Sequence, residues 1–109
     1  MKALIVGPDR GIETALADQG VDTRRVDGLA TGESLDDAGL ADADLLVITD
    51  ADEATAVPVA KDRNPDVRIV FYTPQSVPEF VRGQLDLAVD PDLLGTDVVA
   101  EELVESLRP

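Results

Sequence analysis

A chain of 109 residues with neither cysteine nor histidine has the size of one domain and excludes disulfides, thiolate metal sites and histidine-based catalysis. Its 23 acidic and 9 basic residues give a net charge of −14, which disfavours nucleic acid and anionic membrane surfaces as partners. No apolar run is long enough to span a membrane and the first residues read as a strand, so we expect a cytoplasmic protein. We interpret the evenly spread acids as a solvated coat suited to high salt, and a specific acidic interaction surface is the alternative.

Five short apolar runs alternate with helical stretches along the chain. Strands are predicted at 2–7, 21–27, 44–50, 67–73 and 85–90, and helices at 10–20, 31–39, 52–64, 75–83 and 96–107. Pro58 lies inside the third helix, where we expect a kink or a late start. The alternation predicts one three-layer α/β domain over residues 1–109, with a five-stranded parallel, Rossmann-like sheet in the strand order 2-1-3-4-5.

The turn after the first strand is a candidate phosphate-binding loop. In "LIVGPDRGIETAL" (4–16), Gly7, Arg10 and Gly11 lie at the start of a helix, where backbone N–H groups and the helix dipole attract anions. Asp27 follows Gly7 by twenty residues and ends the second strand, where a carboxylate usually meets the ribose of a dinucleotide. These residues predict a site for NAD or an adenine nucleotide.

The same turn also has a purely structural interpretation. Asp9 brings a carboxylate to the place where a phosphate would lie, and Pro8 removes one N–H donor. In this alternative the two glycines only shape a tight strand-to-helix turn, and Asp9 caps the helix.

The loop after the third strand adds polar groups at the same edge of the sheet. "VITDADEAT" (47–55) contains Thr49, Asp50, Asp52 and Glu53. We include Thr49 and Asp50 in the candidate cofactor site, because ligands of such sheets bind beside the switch between strands one and three. Alternatively, the three carboxylates hold Mg²⁺, or they only favour a helix N-terminus. No serine has an evident base beside it, so we expect a non-enzymatic protein.

Residues 35–73, which include "LADADLLVITD" and "NPDVRIVFYT", resemble the N-terminal domain of the TrkA/RCK potassium-transport regulators, and "LDLAVDP" (85–91) is similar to a later element of that family. The resemblance implies a Rossmann-type fold, binding of NAD or an adenine nucleotide, and dimerisation through the later helices. Gly7, Arg10 and Gly11 match the family's glycine loop, and Asp27 matches either its ribose-binding acid or the acid of a later "GD" element. The leading hypothesis is therefore a small regulatory domain with weak or vestigial nucleotide binding, in a chain whose composition resembles that of halophilic proteins.

A second resemblance is to the receiver domain of response regulators. Thr73 and the "VDP" run that includes Asp90 occupy places similar to the receiver's threonine and Lys-Pro pair. However, the pair beginning at Gly7 replaces the receiver's acidic pair, and its phosphoacceptor falls on Thr49 or Asp50. From these departures we expect no working phosphorylation site.

The alternative function is a protein-interaction module without a small-molecule ligand. The stretch "QSVPEFVRGQLDL" places several apolar side chains beside a sheet edge, where an exposed patch would mark a contact surface. We predict a homodimer, or docking on a larger partner, through Val77, Phe80, Val81 and Leu85.

Overall fold

In the computed structural model, which describes residues 1–26 and 28–107, five parallel strands form one sheet in the order β2-β1-β3-β4-β5. The strands are β1 (Lys2–Val6), β2 (Asp22–Arg25), β3 (Leu45–Ile48), β4 (Arg68–Tyr72) and β5 (Leu87–Val89). The helices are α1 (Ile12–Asp18), α2 (Gly32–Asp37), α3 (Ala56–Arg63) and α4 (Thr96–Leu107). The predicted fold class and strand order are confirmed.

Each face of the sheet buries its own apolar core. Alternate residues of a strand point to opposite faces, so the central strands β1 and β3 are apolar at nearly every position. One core lies under α1 and α4 and includes Ile5, Val47 and Val70, and the other lies under α2 and α3 and includes Val6 and Ile48. No helix in the described part of the chain is long and apolar enough to cross a membrane.

Local signals set where two of the helices begin. The Thr31 hydroxyl accepts a hydrogen bond from the Ser34 N–H, and the Ser34 hydroxyl accepts one from the Thr31 N–H, which forms a capping box at the start of α2. Pro58 delays α3: a 3₁₀ turn at Ala51–Glu53 comes first, and the helix begins at Ala56. Pro58 then lies in the first helical turn, where its missing N–H costs no hydrogen bond.

The predicted helix at 75–83 is instead a 3₁₀ turn, Glu79–Gln84, which we call the 79–84 turn. Pro78 precedes this turn and Gly83 lies within it, and neither residue supports a longer helix. The crossover into β5 is therefore short, and β5 has only three residues. Two of these three residues, Leu87 and Ala88, are exposed.

Candidate functional site

At the carboxyl edge of the sheet, the backbone of Gly7 packs directly against Thr49. Gly7 has a φ of +107°, and a Cβ added there would lie 2.5 Å from Thr49 Oγ1 and 3.1 Å from the Asp50 nitrogen. Only glycine allows this close approach. The Thr49 side chain is fully buried, and its hydroxyl lies 2.7 Å from the carbonyl oxygen of Pro8. The loops after β1 and β3 therefore hold each other in place.

The polar groups of the glycine loop are used within the loop and its neighbours. Arg10 Nε donates to the carbonyl oxygen of Thr49 at 2.7 Å. The N–H of Gly11, the residue that precedes α1, donates to Asp9 Oδ1 at 2.8 Å. A carboxylate of the chain itself thus accepts a hydrogen bond at the position where the sequence suggests a phosphate.

Arg25 is a structural residue that the sequence does not single out. Its guanidinium donates to Glu13 Oε1, at 2.7 Å from Nη2, and also to the carbonyl oxygen of Gly7. The arginine at the end of β2 therefore connects α1 to the glycine loop. Its position at the carboxyl end of an edge strand is the only sequence signal for this role.

The ends of β3 and β4 are joined through one side-chain oxygen. Gln75 Oε1 accepts hydrogen bonds from the Ala51 N–H at 2.8 Å and from the Thr73 hydroxyl at 2.9 Å. The half-buried Asp50 accepts a hydrogen bond from the Asp52 N–H at 2.9 Å. This edge is thus closed by bonds within the protein.

The remaining acid of this loop also has a structural partner, because Glu53 Oε2 accepts from the Ala30 N–H at 3.2 Å. Among the described residues, every buried side-chain nitrogen or oxygen has a hydrogen-bond partner, and no group of three acidic residues is placed to hold a metal ion.

Of the predicted cofactor residues, the structure brings Gly7, Arg10, Thr49 and Asp50 together. Gly11 lies at the start of α1 with its N–H bonded to Asp9, and Asp27 lies outside the described residues. That these residues bind a cofactor remains a prediction of the sequence.

The four residues of the predicted contact patch differ in accessibility. Phe80 is 64% exposed, whereas Val81 is fully buried and offers no surface to a partner. Val77 and Leu85 are half-buried against the core under α3, and they line an open groove of about 490 Å³ beside β5. Homodimerisation through this patch remains a prediction, with Phe80 as its accessible residue.

Tyr72, at the end of β4, is buried under the loop that precedes α4. Its hydroxyl donates to the carbonyl oxygen of Leu94 at 3.2 Å. Burial, followed by the negative charge of Asp97, raises the pKa of the Tyr72 phenol above its usual value. This phenol therefore keeps its proton to a higher pH in the folded protein than in the unfolded chain.

The fold is shared with receiver domains of response regulators. An orphan response regulator of H. pylori has a TM-score of 0.76 at 17% identity, covering 99% of this chain and 97% of that one. An atypical orphan response regulator, described as having a phosphorylation-independent regulatory mechanism, has a TM-score of 0.75 at 17% identity, with 99% and 96% covered. For a response regulator of Thermotoga maritima the TM-score is 0.72 at 12% identity, with 97% and 96% covered.

The chain belongs to the family of unknown function DUF7126, whose model matches residues 3–103. No curated protein sequence matches it. This member of the family therefore has a fold that is shared with response regulators.

These findings correct the first resemblance. The comparison with TrkA/RCK regulators is wrong, and so is the nucleotide-binding regulatory function inferred from it, because the structures similar over nearly the whole chain include three response regulators and the family model is that of DUF7126. The shared "NP" element has a structural cause: Asn64 Nδ2 donates to the carbonyl oxygens of Leu40 and Ala43, each at 2.9 Å. Asn64 therefore joins the end of α3 to the segment that precedes β3, and this contact carries no information about a ligand. The second resemblance, to receivers, agrees with the solved structures in fold.

Proposed function

We propose that this protein is a receiver-like regulatory domain that acts by docking onto another protein, without phosphoryl transfer and without enzymatic activity of its own. The observation that carries the proposal is the match to orphan response regulators over nearly the whole of both chains. One of those regulators is described as phosphorylation-independent. The proposal keeps the cytoplasmic location expected from the sequence.

The chemistry of the carboxyl edge supports independence from phosphorylation. Phosphoryl transfer to a carboxylate needs a cation to neutralise the transferred charge and an accessible acceptor oxygen. Here β1 is followed by Gly7 and Pro8, which supply no carboxylate to a cation. Asp50, the nearest acceptor, is half-buried, and one of its two oxygens, Oδ1, accepts a hydrogen bond from the Asp52 N–H.

The loops at this edge also have little freedom to respond to a modification. Thr49 is buried and bonded to the loop after β1, while the Thr73 hydroxyl is bonded to Gln75. A domain whose carboxyl-edge loops are held in this way would regulate through its exposed surface, which here includes β5 and the groove beside it.

A phosphodonor experiment tests the proposal. The full chain is incubated with acetyl phosphate and Mg²⁺, and intact-mass spectrometry and amide NMR spectra are recorded. We expect no phosphoryl adduct and no shift of the Asp50, Ala51 or Thr73 amide signals. A stoichiometric adduct that disappears in Asp50→Asn would overturn the proposal. Pro8→Asp, which places one carboxylate after β1 at an exposed position, serves as the comparison variant.

A further inference from the structure

We propose that the outer edge of β5 accepts an extended basic segment of a partner protein as a sixth strand of the sheet. This inference rests on the proposed docking function and names the chemistry of the partner. It is carried by three observations: the free edge of β5, a groove on each face beside that edge, and the charge of the surface around it.

The first observation is the open strand edge. Among the described residues, β5 pairs only with β4. The Val89 carbonyl oxygen accepts from the Thr73 N–H on the β4 side, so alternation along the strand turns the N–H and C=O of Ala88 outward. Leu87 and Ala88 are exposed, and an exposed edge of this kind is a template for another strand.

The second observation is the pair of grooves. Leu45, Val70 and Leu103 line a groove of about 250 Å³ between β5 and α4, and Leu87 borders it. On the other face, Val77 and Leu85 line the groove of about 490 Å³ beside the 79–84 turn. Because successive side chains of an added strand point to opposite faces, each groove would receive alternate side chains of the incoming segment.

The third observation is charge. Residues 83–107, which include β5 and α4, contain seven acidic residues and no lysine or arginine. Among the described residues, only Asp86 of these seven lies within ion-pair distance of a cation, at 3.8 Å from Lys61 Nζ. Arg82, which lines the groove on the 79–84 side, already pairs with Glu79 at 3.2 Å. Arg68 lines the groove on the α4 side together with Asp86 and Glu102, so the acids of this surface outnumber its cations. A segment rich in lysine or arginine therefore complements this surface, and an acidic one is repelled.

A second copy of the chain fits this edge poorly. Each copy carries a net charge of −14, and the strand itself lies between Asp86 and Asp90. An antiparallel pairing of two β5 strands centred on Ala88 places Asp86 of each copy opposite Asp90 of the other, and like charges directly opposite are destabilising. No other register supplies a cation, because residues 83–92 contain none.

The probe is a blocked six-residue peptide of alternating lysine with valine or threonine, titrated into the ¹⁵N-labelled full chain. We expect the amide signals of Leu87, Ala88 and Val89 to shift, and hydrogen exchange at the outward-facing Ala88 N–H to slow by about tenfold at saturation. A peptide with glutamate in place of lysine, and one with N-methyl groups on alternate residues, should not produce these changes.

Two charge variants separate the local surface from the net charge. Asp92→Asn with Glu102→Gln removes two charges beside β5, and we expect the peptide to bind about fivefold more weakly. Asp22→Asn with Glu33→Gln removes the same charge from exposed positions on β2 and α2. Because β2 is the opposite edge of the sheet, binding of the peptide should stay unchanged.

Three outcomes would overturn the inference. If the peptide shifts only the amide signals of residues outside β5, or shifts none, the edge of β5 does not accept a strand. An equal response to the glutamate peptide would remove the basic character of the partner. Concentration-dependent shifts of Leu87 and Val89 without peptide would identify a second copy as the occupant. Each of these leaves the phosphodonor result unchanged, so failure of the strand addition is distinguishable from failure of the proposed function.

Discussion

Arg10 donates its Nε to the carbonyl oxygen of Thr49 at 2.7 Å, which joins the loop after β1 to the end of β3. The arginine is half-buried, so this charge-assisted bond is partly protected from water. The contact spans 39 positions of the chain and lies where the sequence suggests a ligand. It gives Arg10 a structural role that can be measured without any ligand.

Replacing Arg10 by alanine should therefore destabilise the fold. We expect Arg10→Ala to lower the free energy of unfolding by about 1.5 kcal/mol, the usual cost of losing a hydrogen bond from a charged donor. Urea unfolding at high salt measures it. Arg24→Ala is the matched control, because Arg24 is exposed on β2 and its loss should change stability by less than about 0.5 kcal/mol. Equal effects of the two variants would contradict the role assigned to the Arg10–Thr49 contact.

The packing of Gly7 against Thr49 gives a second prediction. Gly7→Ala forces a Cβ to 2.5 Å from the buried Thr49 hydroxyl, so we expect a loss of about 3 kcal/mol or more in unfolding free energy. Gly20→Ala isolates the clash, because Gly20 also has a positive φ, of +85°, but nothing lies within 4 Å of the added Cβ. That control should cost only about 1 kcal/mol of backbone strain. If the two alanine variants unfold at the same urea concentration, the close approach of the two loops is not rigid.

The third prediction concerns alkaline pH. Burial and Asp97 raise the pKa of Tyr72, so above the ordinary value of about 10 the unfolded chain loses this proton first. The stability contributed by the neutral phenol is complete below that pH, and it is lost as pH rises through the raised pKa of the folded state. Tyr72 is the only tyrosine in a chain without tryptophan, so ultraviolet absorption of its phenolate reports its titration directly.

Tyr72→Phe is the control for this pH dependence. The variant should lose about 1 kcal/mol at neutral pH with the hydrogen bond to Leu94, and it should show a smaller decline in unfolding free energy above pH 10. A folded-state titration of Tyr72 at its ordinary pKa would contradict the burial of the hydroxyl.

The fold is predictable here because its signals are local. Apolar runs such as that of β3 are buried on both faces, and caps such as Thr31 mark helix starts. The 79–84 turn is harder to predict, because the short run of mixed polar and apolar residues after Pro78 is compatible with both an α-helix and a 3₁₀ turn. The predicted strands are also longer than the observed ones, since the predicted ranges include flanking polar residues, such as Asp44 and Thr49 beside β3, that lie outside the observed strands.

The candidate site was less predictable because its contacts join distant positions. Gln75 bridges Ala51 and Thr73 through a loop conformation that no spacing rule specifies. Two glycines and an arginine after a strand are also typical of both a phosphate-binding loop and a tight turn. The sequence alone does not show that the Gly11 N–H is bonded to Asp9, because that contact depends on the conformation of the turn. The "NP" element likewise has a structural role in this fold, because Asn64 donates to backbone carbonyl oxygens. Such an element therefore does not identify one family.

The last prediction concerns salt, and it follows from the balance of charges on the surface. Among the described residues only four ion pairs form, and all involve partly exposed side chains, so each contributes roughly 0–1 kcal/mol. At about 0.01 M ionic strength the screening length is near 30 Å, so acids repel one another across most of the domain, whereas at about 1 M it is near 3 Å. We therefore expect the thermal unfolding midpoint, followed by circular dichroism, to rise steeply from millimolar to molar KCl, with NaCl giving the same curve.

The seven acids of residues 83–107 should contribute most to this salt dependence, because that segment contains no basic residue. The Asp92→Asn, Glu102→Gln variant should accordingly flatten the salt dependence more than the Asp22→Asn, Glu33→Gln variant does. A midpoint that is flat across the salt range would show that the acids are locally compensated, and the acidic surface would then be better explained as a binding surface than as a coat suited to high salt.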